Sequence, residues 1–288
     1  MVVAVLAVST SGPLIAAAAV PALAIAFWRN AMAGAVLAPI VLLRRRQELR
    51  QLDRRERRLA LLAGLLLALH FATWVPAVGM TSVASATALV GTQPVWSALF
   101  ARLRGEPVAK AVWVGIAIAL SGAVLLTGAD FQVSGKALVG DLLAIVGGIF
   151  AAAYMVAGSE VRRSVSTTTY TSICYSTTAV LLLVVCLIGR QELTGYDAGD
   201  WLKLIALTAG AQLLGHSLFN VVLKTTSPTV VSMSILLEIP GAALIAALFV
   251  EGQHVPVLAV PAAVLLLIGL AIVIRSAGRE TEPSVPVE

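Results

Sequence analysis

Polar and ionisable side chains that interrupt long apolar runs are the residues of this chain best placed to do chemistry. Glu238 is the only carboxylate deep within such a run, and His70 and His216 are histidines in two others. Such side chains are costly in hydrocarbon, so they usually face a bundle interior or an aqueous cavity. There they can bind a cation or carry protons. A structural role stays open for all three, because interhelical hydrogen bonds use the same residue types.

Helical spacing groups further candidates with these residues. Trp74 lies four residues after His70 and Asn220 lies four after His216, so each pair shares one helix face. The other candidate binding or coupling residues are polar or aromatic positions in apolar runs: Trp96, Thr92, Gln93, Ser234, Tyr154, Ser11 and Arg29. The tryptophans could equally serve packing, and Arg29 could be a snorkelling or structural residue. The prolines predicted to shape helices are Pro13, Pro94 and Pro240.

Patterns typical of enzymes and metal sites are missing. The sequence has no P-loop, no HExxH and no Cys/His spacing for a metal, so we predict no catalytic residues, no metal and no cofactor. Cys174 and Cys186 lie in one apolar run, where lone buried thiols are expected. Asp141 and Asp197 lie at run edges or in loops, too shallow for an intramembrane aspartyl protease.

The elements that position these side chains follow from composition and hydropathy. The chain is 59% hydrophobic and 12% charged, whereas soluble domains are about 25% charged. Ten apolar runs are long enough to cross a bilayer: 2–20, 23–43, 59–79, 83–101, 109–128, 138–157, 169–189, 202–222, 229–250 and 255–274. The sequence therefore predicts an all-α polytopic membrane protein with ten transmembrane helices. The fifth and tenth runs are almost wholly aliphatic, which indicates peripheral helices facing lipid.

Basic residues predict the orientation. With a cytoplasmic amino terminus, all but four of the 20 Lys and Arg residues fall on the inside. The positive-inside rule then places both termini in the cytoplasm and the chain in the cytoplasmic membrane. This distribution accounts for the net charge of +5, so we predict no nucleic-acid partner. Loop 44–58 is interpreted as an orientation signal, with anionic lipid or a partner as the alternative. The tail, 276–288, is predicted to be disordered.

An internal repeat divides the chain into halves. Gly64, Leu67, His70 and Val75 recur 146 residues later, and Pro94 recurs as Pro240. The repeats are placed at 1–128 and 129–275. Five crossings in each half would turn the second repeat upside down relative to the first. Inverted repeats with a binding site near the midplane are typical of secondary transporters.

The chain resembles the EamA-type family of the drug/metabolite transporter superfamily over nearly its full length. The likeness lies in these segments: FWRN at 27–30, LHFATW at 69–74, TSVAS at 81–85, Pro94, GEP at 105–107, LGHSLFN at 214–220 and LLEIP at 236–240. The resemblance implies ten helices in two inverted five-helix repeats, a central cavity, peripheral fifth and tenth helices, and export of small organic metabolites or amino acids. The sequence departs from it at 250–252, where VEG replaces the Gly-Glu order.

These patterns together predict a secondary transporter of the cytoplasmic membrane that works by alternating access. Glu238 would sense charge or couple transport to protons. Its partners would be a small-molecule substrate, membrane lipid and protons. The cavity would favour zwitterionic, cationic or neutral solutes over phosphorylated ones. The alternative is a membrane-embedded binding or sensory protein that moves nothing.

Overall fold

The computed structural model describes residues 1–81, 83–127, 134–249 and 258–279. The regular elements in these ranges are all helical, which confirms the all-α prediction. They are α1 (Val2–Ser9), α2 (Ser11–Ala17), α3 (Ala22–Arg44), α4 (Arg46–Gln51), α5 (Arg54–Val78), α6 (Val83–Val90), α7 (Gln93–Leu103), α8 (Lys110–Thr127), α9 (Gly135–Val161), α10 (Thr167–Ile188), α11 (Ala198–Leu207), a π-helix (Thr208–His216), α12 (Ser217–Val222), α13 (Pro228–Ile235), α14 (Glu238–Phe249) and α15 (Ala259–Arg279).

Six helical stretches in the described ranges are long and apolar enough to cross a membrane: Ala22–Arg44, Arg54–Val78, Gly135–Val161, Thr167–Ile188, Ala198–Val222 and Pro228–Ile245. Three shorter apolar stretches are Val2–Ala17, Lys110–Leu125 and Val260–Ser276. The count of ten crossings stays a prediction.

Three predicted runs are broken in the structure: the first, where α1 ends at Ser9 and α2 begins at Ser11, and the fourth and ninth. α6 ends at Val90 and α7 begins at Gln93, just before Pro94. α13 ends at Ile235 and α14 begins at Glu238, two residues before Pro240. A proline has no N–H to donate and crowds the preceding turn, so a break before it is the low-cost geometry. The breaks in the fourth and ninth runs fall within one residue of equivalent positions under the offset of 146.

Helix packing follows a regular scheme. α3 packs on α10, α8 packs on α15, α5 packs on α9, and α1 packs on the π-helix. α8 and α15 form, with parts of α6, α7, α13 and α14, a hydrophobic core separate from the larger one. Gly115 of α8 and Gly269 of α15 let these two backbones approach closely, as small residues do between membrane helices.

Polar contacts tie the helix connections together at two ends of the bundle. At the arginine-rich end, Glu160 near the end of α9 pairs with Arg55 at the start of α5 at 3.3 Å. At the other end, Asp200 of α11 accepts a hydrogen bond from the backbone N–H of Ala19 at 3.1 Å. Lys203 donates to the carbonyl oxygen of Ala17 at 2.9 Å.

The carboxyl-terminal segment begins as a helix. α15 continues to Arg279, so 276–279 are helical although the predicted disordered tail begins at Ser276. These positions carry no proline, and the first proline of the tail is Pro283. The remainder of the tail, the repeat boundary at 128–129 and the VEG departure at 250–252 lie outside the described residues.

Glu48 of α4 closes the amino-terminal end of α10 from outside that helix. Its carboxylate accepts hydrogen bonds from the backbone N–H of Ser166 at 2.6 Å and from the hydroxyl of Thr169 at 2.8 Å. The first N–H groups of a helix lack partners within it, so this carboxylate supplies one. Partial burial raises the pKa of Glu48, but these hydrogen bonds and the charge of Arg45 outweigh it, and the pKa lies below its usual value of 4.5.

We expect Glu48→Gln to lower the stability of the purified protein at neutral pH, since a neutral amide makes weaker hydrogen bonds than a carboxylate. An acid with a lowered folded-state pKa stabilises the fold above its unfolded pKa. That stabilisation is lost as pH falls through the folded pKa. Thermal unfolding of wild type and variant should therefore differ at pH 7 and converge as the pH falls through the lowered pKa of Glu48. A difference in melting temperature that does not change with pH would contradict this account.

Candidate functional site

A cavity of about 470 Å³, including its mouth, lies between elements from both halves of the chain. The first half contributes α1, α2, α5, α6 and α7 to its wall, and the second half contributes α9, the π-helix, α12, α13 and α14. The residues that were predicted from the sequence and that line this cavity are Ser11, His70, Trp74, Gln93, Tyr154, His216 and Glu238. Seven side chains proposed from sequence therefore meet in one space.

Glu238 reaches the cavity because a helix break places it there. It is the first residue of α14, directly after the break, and it is half-buried. A helix start offers unpaired N–H groups and a positive dipole end, which favour a carboxylate. The equivalent position in the first half is Thr92, which precedes α7. The two halves thus differ at this point by one acidic group.

His70 and Trp74 form one wall of the cavity. The Nδ1 atom of His70 lies 2.9 Å from the carbonyl oxygen of Gly147. A carbonyl can only accept, so Nδ1 carries the proton and the Nε2 of a neutral ring is left as an acceptor. The rings of His70 and Trp74 stack with centroids 5.8 Å apart and an interplanar angle of 6°. The indole N–H of Trp74 has no partner among the described residues, so it can donate to a ligand.

His216 lies across the cavity, at the end of the π-helix. Its ring meets that of Phe71 edge-on, with centroids 5.7 Å apart. Its carbonyl oxygen accepts a hydrogen bond from the side-chain amide of Asn220 at 2.9 Å. A π-helix turn is wider than an α-helical turn and is frequent at functional sites.

Tyr154 connects the cavity wall to Asn220 behind it. The hydroxyl of Tyr154 donates to Oδ1 of Asn220 at 3.0 Å, and both side chains are buried. Asn220 does not line the cavity. Asn220 was predicted to lie beside the substrate, but in the structure it lies behind the wall and supports Tyr154 and the backbone of His216.

Three other candidates do not line the cavity. The hydroxyl of Ser234 donates to the carbonyl oxygen of Val230 within its own helix at 3.0 Å. The indole N–H of Trp96 donates to the hydroxyl of Thr92 at 3.1 Å, and neither residue lines the cavity. All three share a helix or a helix break with residues that do line it. Their side chains face other neighbours.

Arg29 is fully buried beneath the cavity wall. Its Nε donates to Oε1 of Gln212 at 2.8 Å, and its Nη1 donates to Oγ of Ser11 at 3.3 Å. Its guanidinium carbon lies 4.3 Å from the centroid of the Phe71 ring, a cation–π contact. Nη2 has no hydrogen-bond partner within the described ranges. Arg29 therefore does not line the cavity but supports Ser11, which does.

Gln212 is a residue of this cluster that sequence reasoning missed. It is fully buried in the π-helix and also donates to Oδ1 of Asn30 at 3.1 Å. A signal was present, because Gln212 is a polar residue in an apolar run, four positions before His216. Phe71 gave no signal, since an aromatic residue in an apolar run is ordinary.

The cavity combines groups of several kinds: a carboxylate, two imidazoles, an indole N–H, a phenol and the Gln93 amide. Oε1 of Gln93 has no hydrogen-bond partner in the described part of the chain, so it can accept from a ligand. Such a set of polar groups on an otherwise apolar wall is typical of a site that binds a small polar organic molecule reversibly.

Comparison with known proteins adds two findings. A family model described as the EamA-like transporter family matches residues 1–128 and 138–275. A solved crystal structure of a protein is 22% identical to this chain, with a TM-score of 0.76; the match covers 98% of this chain and 97% of the other. Likeness at this identity shows the fold. None of the curated proteins compared with the chain matches it significantly.

Proposed function

Because the chain belongs to the EamA-like transporter family of the drug/metabolite transporter superfamily, we propose that it is a secondary transporter. It exports a small organic metabolite or amino acid across the cytoplasmic membrane by alternating access. The observation that carries this proposal is the cavity built by both halves of the chain and lined by Glu238, His70 and His216. Both termini are placed in the cytoplasm, since that orientation puts the arginine-rich connections inside.

The packing scheme supports two inverted five-helix repeats. If each helix is replaced by its counterpart 146 residues away, the pair α5–α9 becomes the pair formed by the π-helix and α1. Both pairs are in contact. In the pairs α3–α10 and α8–α15, each helix packs against its own counterpart from the other half. The helix breaks in the fourth and ninth runs also fall within one residue of equivalent positions. A bundle with this internal relation can adopt two arrangements of similar energy, one open to each side, as alternating access requires.

The charges around the cavity bear on the substrate. Glu238 lines it with its carboxyl group, while the guanidinium of Arg29 is fully covered. The ionised form of Glu238 would repel an anionic solute and attract an ammonium group. Trp74 and the histidines add flat faces and hydrogen-bonding groups. We therefore propose a zwitterionic, cationic or neutral solute.

Glu238→Gln tests the coupling role. The amide keeps the shape of the side chain but cannot release a proton, so transport by the variant should no longer respond to a pH gradient. The measurement is solute flux in proteoliposomes, with and without the gradient, after a ligand has been found by thermal-shift screening. Glu192→Gln is the matched control, since Glu192 is an exposed carboxylate in the connection before α11.

Each outcome separates the alternatives. Loss of gradient dependence in Glu238→Gln but not in Glu192→Gln supports proton coupling through Glu238. Equal gradient dependence in wild type and Glu238→Gln removes Glu238 from that role while leaving transport intact. Specific ligand binding by the wild type with no flux under any gradient would instead favour a membrane-embedded binding or sensory protein.

A further inference from the structure

An apolar groove lies on the outer side of the bundle, separate from the central cavity. α5 and α7 both pack on α9, and a space of about 810 Å³ runs between them. Leu59, Leu62 and Leu66 of α5 form one side and Phe100 of α7 the other. The small side chains of Ala153 and Ala157 form the floor. The three leucines span about 10 Å along α5 at 1.5 Å per residue.

One end of the groove is charged. Arg104 and Glu160 line it there. The carboxylate of Glu160 pairs with Arg55 at 3.3 Å, with Arg163 at 3.2 Å and with Arg104 at 3.9 Å. Arg104 also pairs with Glu106 at 2.8 Å. The groove thus ends in three guanidinium groups and two carboxylates.

Arg55 and Arg163 are the most exposed charged side chains at this end, whereas those of Arg104 and Glu106 are 32% and 51% exposed. The side chains of Arg55 and Arg163 are 75% and 71% exposed, whereas that of Glu160 is 19% exposed. Glu160 therefore holds the arginines in place, and they present their remaining N–H groups to the surroundings. A guanidinium fork matches the geometry of a phosphate.

We propose that this groove is a binding site for one anionic phospholipid. An acyl chain lies along Leu59, Leu62 and Leu66, and the phosphate lies among Arg55, Arg104 and Arg163. Hydrocarbon fits the apolar part, and the charged end fits a negative headgroup over a zwitterionic one. Lipid binding here requires that the bundle spans a membrane and that the charged end of the groove lies at the level of the headgroups. It does not require that the protein transports a solute.

Selective lipid retention tests the site. The full-length protein is reconstituted in nanodiscs that contain equal amounts of phosphatidylglycerol and phosphatidylcholine with the same acyl chains. After mild extraction, native mass spectrometry gives the ratio of the two lipids that stay bound. We expect enrichment of phosphatidylglycerol in the wild type. The double variant Arg55→Gln/Arg104→Gln should lower that enrichment by more than about fivefold, because each basic residue near an anionic surface strengthens binding by about that factor.

Two further variants keep the result interpretable. Arg46→Gln/Arg50→Gln removes the same charge from exposed residues of α4 that do not line the groove, and it should keep the enrichment. Ala153→Phe fills the groove floor and leaves every arginine in place, so it should reduce retention of both lipids. Size-exclusion profiles and melting temperatures of all variants establish that they are folded.

Three outcomes would overturn the proposal. Equal retention of both lipids by the wild type would show that the arginines do not select an anionic headgroup. An equal effect of the α4 double variant would assign the selectivity to general charge. Displacement of phosphatidylglycerol by glycerol phosphate, which has no acyl chain, would show that the groove itself contributes nothing.

Discussion

Replacing Arg29 by methionine is expected to reduce solute flux by at least about tenfold while leaving the protein folded. Arg29 links Ser11 of α2 to Gln212 of the π-helix, so it joins elements from the two halves beside the cavity. A difference of about 1.4 kcal/mol, one ordinary hydrogen bond, already corresponds to tenfold. Methionine keeps most of the side-chain volume and removes both hydrogen bonds.

The stability of the Arg29 variants should separate function from folding. A buried charge without a paired carboxylate is costly, so its removal offsets part of the loss caused by the unpaired Oε1 of Gln212. We expect Arg29→Met to change the free energy of unfolding by less than about 2 kcal/mol. Arg29→Ala also leaves a cavity and should cost about 2–5 kcal/mol. Thermal and denaturant unfolding in detergent measure both values.

Arg29→Lys and Arg50→Met complete this series. Lysine keeps the charge but lacks the planar fork that reaches Gln212 and Ser11 together, so flux should stay low. Arg50 is exposed on α4, and its replacement by methionine should leave flux and stability near those of the wild type. Wild-type flux in Arg29→Met would refute the linking role, because the hydrogen bonds would then be dispensable.

Gly269→Val should destabilise the protein by about 3 kcal/mol or more, the second large effect that the structure predicts. A Cβ at Gly269 would clash with the carbonyl oxygen of Gly115 and lie 2.8 Å from Cβ of Ala119. Backbone atoms cannot move aside as a flexible side chain can, so α8 and α15 would have to separate. Membrane helices associate largely through close packing, because lipid is as apolar as their side chains.

The matched control for this variant is Gly135→Val. Gly135 is the first residue of α9, and a Cβ there would meet no atom of the described residues within 4 Å. Melting temperature and aggregation on heating should change in Gly269→Val and hardly in Gly135→Val. Equal melting temperatures for Gly269→Val and the wild type would mean that the contact between α8 and α15 contributes little to stability.

The polar exceptions in the apolar runs led to much of the candidate site. Cavity-lining residues found this way include Glu238, His70, His216 and Trp74. The carboxyl and imidazole groups are costly in lipid, so these residue types alone indicate an interior position. The offset of 146 also relates the helix breaks in the fourth and ninth runs, although Pro94 and Pro240 predicted shaped helices there and not complete breaks.

Whether the other predicted residues line the cavity could be decided only from the helices that pack against them. Helical spacing tells which residues share a face, but it does not tell which neighbouring helix covers that face. Asn220 shares a face with His216, yet it does not line the cavity and is hydrogen-bonded to Tyr154, which does. The indole N–H of Trp96 donates to Thr92, and Arg29 is buried and donates to Gln212.

Residue type and local hydropathy are enough to predict that the chain is helical, that it is apolar enough for a bilayer, and where its costly polar groups lie. Which of these polar groups meet depends on how distant helices pack, so it is visible only in the folded structure. This packing brings Ser11, His216 and Glu238 to one cavity from three separate stretches of the chain.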